Sequence, residues 1–534
     1  MGAERTIGFL GVIHSFPLSF FLALALLTVA AVILWFSPKG NAGLSLCQWL
    51  LLNAAFWLAP LVFGDWVPGG FHAYEFFGFT DYIIREGHVQ PDLGQLWYHN
   101  WPGFFIQSAI LMQVLGIDSP DMFIRLAPFA VQVAYLGGLY LFFRNTLGSK
   151  YCWIGLWLFA LGNWQQHNAW LPQAYVLALF FVILALFTKP RLWRRGDLSS
   201  AGHWLVAYLL VAAIVVSHML TALVTLSMMG ALYLARRYVI GVFILLALVT
   251  ATSWMLYSAT VFFEANVPFY AAVVSQLIEK LLEGIFLVLL SPTAAGSESH
   301  QLVATLRVLL MGLVFGIGVV GAAISLRSGK NRTTDLTVLA LGIGICSLAA
   351  TVGFLSGGVL VRLYTFVLPL VAYFGAKTLD AKAVKWAVAV VVFLVLAGPL
   401  RMVAQGGNQI IDYIPPGYVE GLSFFHTNTA GGTVTEARAL AGDPFPFGGF
   451  RNRENYVVAR YKGLYWEGIL EAISSGEMGT PPSYVVTSDI LDQPVMEYLS
   501  GDPAVAERVV AALDASPSSR VYANGTITIT LLAE

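Results

Sequence analysis

The chain has 534 residues, 58% of them hydrophobic and 11% charged, with a mean hydropathy of +0.73 and a formal net charge of -1. Ordinary soluble domains carry about 25% charged residues, so the composition excludes that class and points to an integral membrane protein. A charge near zero offers no basic field to collect phosphates, which argues against nucleic acid as a partner. Cys47, Cys152 and Cys346 all lie inside apolar runs and read as small buried hydrophobes, neither a disulfide framework nor a zinc site.

Apolar runs of about 20 residues are candidate spans, and twelve occur, at 15–36, 44–64, 119–143, 151–163, 172–188, 203–218, 220–235, 238–258, 302–326, 335–355, 357–376 and 383–403. No small-residue cleavage site follows the first, so it is expected to stay in the mature protein. The expected fold is a membrane all-α polytopic bundle of about twelve spans. Basic residues concentrate in alternate loops: Lys39, Arg144, Lys150, Arg191, Arg194, Arg236, Arg237, Arg327, Lys330 and Lys377 fall on one side. The bias of Lys and Arg toward the cytoplasm makes that side cytoplasmic and places both termini outside.

The stretch from Gly64 to Gly103 breaks the apolar pattern. It gathers Asp65, His72, Glu75, Asp81, Arg85, Glu86, His88, Asp92 and His99, the composition of a functional loop at a membrane surface. Next comes GFFIQSAILMQVL, residues 103–115, too short to cross at 1.5 Å per residue and suited to a helix in the interface. Residues 267–290, with Glu279, Lys280 and Glu283 in their middle, read as a long interfacial helix, with a re-entrant hairpin or a poor thirteenth span as alternatives.

From about Gly406 the chain becomes rich in Gly, Pro, Asp and Asn. SYVVTSDI and RVYANGTITITLL alternate as strands do, and VMEYLSGDPAVAERVVAALDAS reads as one or two helices. Two units follow: a polytopic domain over 1–405, with its acidic loop at 64–118, and an extracytoplasmic soluble α/β or α+β domain over 406–534.

YEFFGFTDYIIREGHV followed by WYHNWPGFFIQSAILMQVLGID reads as a helix, a loop and a second helix. That order resembles the first extracytoplasmic loop of the GT-C glycosyltransferases, membrane enzymes that use polyprenyl-phosphate-linked sugars. NWQQHNAWLPQA at 163–174, Ser217-His218 with Leu220-Thr221, and Val361-Arg362-Leu363-Tyr364 resemble further family features in the same order. Two departures stand out: Tyr74 precedes Glu75 where the family has an Asp, which keeps Asp65 and Asp81 open as substitutes, and two spans precede the acidic loop instead of one.

The resemblance implies an inverting glycosyltransferase moving a hexose or pentose from dolichyl or undecaprenyl phosphate to a glycan, lipid or protein acceptor outside the cell membrane. Such transfer needs a base for the acceptor hydroxyl and a stabiliser for the departing phosphate. Glu75, with Asp81 and Asp65, supplies candidates for the base. Arg362 offers a bidentate phosphate clamp, with His218 and Lys280 as further donors, and His72, His99 and His167 are candidates for sugar or acceptor contacts. The i,i+3 spacing of His72 and Glu75 admits a divalent metal, Mg or Mn, without completing a site. The competing class is a transporter or flippase of lipid-linked glycans. It fits less well because the polar residues gather at one face and not at the midplane.

Overall fold

The computed structural model describes residues 10–37, 41–117, 119–165, 169–189, 200–236, 240–264, 297–352, 357–379, 384–407, 413–436, 451–458, 484–488 and 518–532, with Ala504, Arg508 and Ala511. Lys280, His167, the 267–290 segment and nearly all of the expected tail helices lie outside these residues.

Helix α1 (Leu18–Phe36) is apolar on every side. Leu18, Leu22, Leu26, Ile33 and Phe36 are exposed while Leu24, Thr28, Ala31 and Trp35 are buried, so one stripe meets lipid and the other the bundle. Helix α2 (Ala42–Trp57) starts where the Asn41 side chain accepts the Leu44 N–H at 3.1 Å, satisfying one orphan donor. It gives way to the short α3 (Ala59–Gly64), with Pro60 in its first turn. Helices α4 (Gly70–Glu86) and α5 (Gly103–Leu115) form the loop layer, joined through a 3-10 turn at Gly94–Asn100. The bounds of α5 are those expected from the apolar run.

Helix α6 (Pro120–Gly162) carries two of the expected spans, 119–143 and 151–163, separated at Gly148, whose φ of 79° and ψ of 175° interrupt the helix. Then come α7 (Pro172–Phe187), α8 (Ser200–Val215), α9 (Met219–Arg236), α10 (Ile240–Tyr257), α11 (Glu298–Ser328), α12 (Arg332–Val352), α13 (Gly357–Lys377) and α14 (Val384–Gly406). Every one of the twelve apolar runs carries helix. Among the described residues, five helices are long and apolar enough to cross a membrane: Leu18–Phe36, Ala42–Gly64, Pro120–Gly162, Glu298–Ser328 and Val388–Gly406. The bundle core runs through α6, α7 and α13, with Phe142, Phe159, Phe180, Phe181, Leu368 and Tyr373 buried together.

After α14, helix α15 (Pro416–Asn428) covers a five-stranded sheet of order β2-β1-β3-β5-β4, formed by β1 (Gly432–Glu436), β2 (Tyr456–Val458), β3 (Tyr484–Thr487), β4 (Ser518–Ala523) and β5 (Thr528–Leu532). β1 is parallel to both neighbours, and β5 is antiparallel to β3 and β4. Its core is shared with the loop layer: Tyr418, Leu422, Phe425, Val434, Val486, Ile527 and Ile529 pack with Ala73, Tyr74 and Phe77 of α4. Burial of this joint face docks the sheet onto α4.

Candidate functional site

Helix α4 is amphipathic in two directions. Ala73, Tyr74 and Phe77 enter the core shared with the sheet, whereas Phe79, Tyr82 and Ile83 pack on Leu96 and on Phe104, Phe105 and Ala109 of α5. With both faces buried the helix cannot roll, and the polar side chains between them are held at fixed angles.

The three candidate acids occupy different settings. Asp65 sits in a left-handed conformation at φ 50° just after α3, and its Oδ1 accepts from Arg125 Nη1 at 2.7 Å. Arg125 Nε also donates to Asp121 at 2.8 Å, and the Tyr74 hydroxyl donates to Asp121. Asp81 accepts from Arg85 Nε at 2.9 Å and from the Asn452 N–H at 3.2 Å. Glu75 alone of the three is fully buried, at 3% exposure. Its Oε1 lies 3.7 Å from Arg453 Nη2, a side chain delivered from beside β2.

The charge of Arg362 is felt one turn back along α4. His72 stands three residues before Glu75, on the same side of the helix. Burial, and then the positive charge of Arg362, push its pKa down to about 4, so its ring is neutral near pH 7. Arg362, in the second turn of α13, also acts electrostatically on His218. The chain therefore places His72 of α4 and His218 of the α8–α9 turn within electrostatic reach of one guanidinium on α13. Among the described residues, Arg362 Nε is buried without a hydrogen-bond partner.

The His218 N–H donates to the Ile214 carbonyl at 2.9 Å and so closes α8. The His218 ring caps the N-terminus of α9: the Thr221 N–H donates to its Nδ1 at 3.3 Å, and the Thr221 hydroxyl lies 2.9 Å from the same atom. With Nδ1 accepting, that hydrogen-bond pattern assigns the proton to Nε2 and makes it a donor. The turn is seated by a close approach: the Gly103 N–H donates to the Val216 carbonyl at 3.0 Å. A Cβ at position 103 would lie 2.2 Å from Ser217 Oγ.

His99 serves the loop, not an open face. Its Nδ1 accepts the Gln90 N–H at 3.1 Å, and Nε2 donates to the Phe79 carbonyl at 2.9 Å. Burial drives its pKa down, and both ring nitrogens already pin the loop to α4.

Three arginines escaped the sequence reading. Arg125 and Arg453 give no local signal of which acid they meet. Arg401 is the only charged side chain between Lys385 and Asp412, which is a signal. It is fully buried, stacked 3.7 Å from the Phe56 ring centroid.

No family model matches the chain, and no curated protein does. Two solved structures of the Archaeoglobus fulgidus oligosaccharyltransferase resemble it. The complex with Zn and sulfate matches at TM-score 0.50 and 14% identity over 87% of this chain and 70% of that one. The form tethered to an acceptor peptide with an NVT sequon matches at TM-score 0.50 and 13% identity over 92% and 74%. The chain shares its fold with that oligosaccharyltransferase. ArnT from Cupriavidus metallidurans, bound to undecaprenyl phosphate, aligns at TM-score 0.49 and 11% identity over 92% of this chain and 98% of that one.

One of these oligosaccharyltransferase structures holds Zn, so the loop acids of this chain are compared with a metal site. Among the described residues, no group of three or more His, Cys, Asp and Glu side chains is placed to hold a metal. The loop acids are matched instead by arginines, Asp65 by Arg125, Asp81 by Arg85 and Glu75 by Arg453. These residues do not fit a metal centre.

Proposed function

We propose that this chain is an inverting glycosyltransferase that moves a hexose or pentose from a polyprenyl phosphate, dolichyl or undecaprenyl, to an acceptor on the extracytoplasmic face of the membrane. The observation that carries the reading is the convergence of Arg362, His72 and His218 beside the helix that holds the buried Glu75, within a GT-C fold. A guanidinium with an unpartnered buried Nε suits a phosphate, whose oxygens accept such donors bidentately.

In this reading Glu75 takes the proton of the acceptor hydroxyl as its oxygen attacks the anomeric carbon. The bond from that carbon to the phosphate oxygen breaks on the opposite face, which inverts the configuration. The electron pair leaves on the polyprenyl phosphate, where Arg362 and the Nε2–H of His218 meet the growing charge. A neutral His72, one turn from Glu75, contacts the sugar or acceptor. Asp65 and Asp81 stay as the substitute bases, each already committed to an exposed or half-buried ion pair. Lys280 and His167 keep their assigned parts, donor phosphate and acceptor, as proposals. The soluble domain over 406–534 and the acidic loop face the same, outer side.

Purified protein supplied with a polyprenyl-phosphate sugar and candidate acceptors should release free polyprenyl phosphate without any transmembrane gradient. Movement of the intact lipid-linked sugar between leaflets, with no cleavage under any acceptor, supports the flippase reading instead.

A further inference from the structure

Residues 451–455 form a strap from the soluble domain laid along α4, and each of its central residues has a defined partner. The Asn452 N–H donates to Asp81 Oδ2 at 3.2 Å. Glu454 accepts from Arg85 Nη2 at 2.9 and 3.0 Å. Between them Arg453 turns inward and is 5% exposed. Its Nε donates to the Gln95 carbonyl at 3.0 Å, its guanidinium lies 4.3 Å from the Phe79 ring centroid, and its Nη2 reaches 3.7 Å from Glu75.

The two outer contacts flank Arg453 on either side. They are partly exposed, as surface charge pairs usually are, and such pairs contribute little each. Burying a guanidinium between them is expensive unless its charge is used. Glu75 poses the complementary problem, because a carboxylate buried this deeply keeps its charge only against a neighbouring cation. The cation–carboxylate distance of 3.7 Å is too long for a direct hydrogen bond, so this pair acts through charge.

We infer that Arg453, carried in by the soluble domain, is a positioning residue that keeps the Glu75 carboxylate ionised and oriented for proton transfer. The inference rests on Glu75 being the base. It makes the site a composite of two parts of the chain: α4 supplies the carboxylate and the soluble domain supplies the charge that keeps it a base. Other ionisable groups gather around the pair. His72 lies one turn back on α4, His99 on the loop also feels Arg453, and Asp81, Arg85 and Glu454 neutralise one another farther along.

The test uses the full-length protein in detergent or nanodiscs. Dicyclohexylcarbodiimide reacts with protonated buried carboxyls, so labelling of Glu75 read by peptide mass reports its protonation without any turnover. In the unaltered protein Glu75 should resist labelling at pH 6 and above. In Arg453→Gln the onset of labelling and the acidic limb of kcat should both move up by about one pH unit or more. Arg453→Lys should restore most of that shift, and Glu454→Gln, which loosens only the strap, should leave both curves where they are. Unaltered protein that labels readily at pH 7, or Arg453→Gln curves that superimpose on the parent, overturns the inference. Equal shifts in Glu454→Gln and Arg453→Gln do so as well, since docking alone then explains them. If Arg453→Gln does not fold, the unaltered protein's labelling curve still decides. Full transfer by Glu75→Gln sinks the base assignment itself. An inactive Glu75→Gln with an unmoved Arg453→Gln sinks only the role of Arg453.

Discussion

Arg401 Nη2 donates across 2.7 Å to the main-chain carbonyl of Asn163, tying α14 to the C-terminal end of α6. The Tyr364 hydroxyl donates to the neighbouring Gly162 carbonyl at 2.9 Å, and Arg401 Nη1 donates to Gln405 Oε1 at 2.6 Å. The last carbonyls of a helix lack intrahelical partners, and lipid offers none. A cation at that end also meets the negative pole of the helix. Arg401 is therefore read as a helix cap built from another span.

Arg401→Met keeps the bulk while removing two hydrogen bonds from a charged donor, each worth about 1.5–3 kcal/mol. Relief of a buried charge offsets part of this, and the net loss is expected near 2 kcal/mol. Thermal unfolding in detergent should show a lower midpoint, with Arg401→Lys in between. A raised midpoint in Arg401→Met means the buried charge is a cost and not a cap.

Glu75→Gln preserves size and removes the charge. Transfer should fall on the order of 10²–10⁴-fold, with a lower thermal midpoint because the buried Arg453 loses a counter-charge. Asp65→Asn and Asp81→Asn break pairs that reach solvent and should cost less. Retained transfer in Glu75→Gln, together with loss in one of the aspartate variants, moves the base to that aspartate.

Gly103→Ala tests whether the seat of His218 matters. The added methyl would sit 2.2 Å from Ser217 Oγ and 3.2 Å from the Val216 carbonyl, so the turn must shift. Transfer should drop about tenfold or more, as small misplacements near a reacting group do. The double variant with Ser217→Gly should recover part of the loss. Unchanged activity in Gly103→Ala separates the turn from the reaction.

What the sequence made legible follows from how local each feature is. Helix α5 was readable to the residue because the apolar run ends at Gly116, in a left-handed conformation. Strand character was legible in the alternation of RVYANGTITITLL, while the turn that splits it into the paired β4 and β5 was not read from the sequence. The convergence of His72, His218 and Arg362 was expected only as three separate assignments, since periodicity says nothing about which helix ends meet. The Glu75–Arg453 contact was invisible for the same reason, as it joins a loop helix to a segment of the soluble domain. The partners of His99 were not legible either, because they are backbone groups that any sequence has.

His72 sets a pH dependence with a definite sign. Its pKa is lowered to about 4 from 6.5, so between those values the unfolded chain binds a proton that the folded chain does not. Its contribution is fully present above pH 6.5 and is lost as pH falls toward 4. The thermal midpoint should decline over that window, and His72→Asn should flatten the decline. An equal decline in both proteins removes His72 as the source.

Arg362 separates phosphate recognition from mere snorkelling of a basic side chain toward headgroups. A snorkelling cation is satisfied by any long positive residue. A clamp needs the planar fork, with two parallel N–H groups on two phosphate oxygens. Arg362→Lys should then weaken polyprenyl-phosphate binding and slow transfer, with Arg362→Ala worse in both. Binding is measured with a sugar-free polyprenyl phosphate, so a loss of affinity is read independently of catalysis. Because the Arg362 charge depresses the protonation of His72, Arg362→Ala should also let His72 titrate at higher pH, whereas Arg362→Lys should not. The ring proton signals of His72 report this by NMR. Full binding and transfer in Arg362→Lys, with no change of His72 titration in Arg362→Ala, would place the guanidinium among the headgroups and take the phosphate away from it.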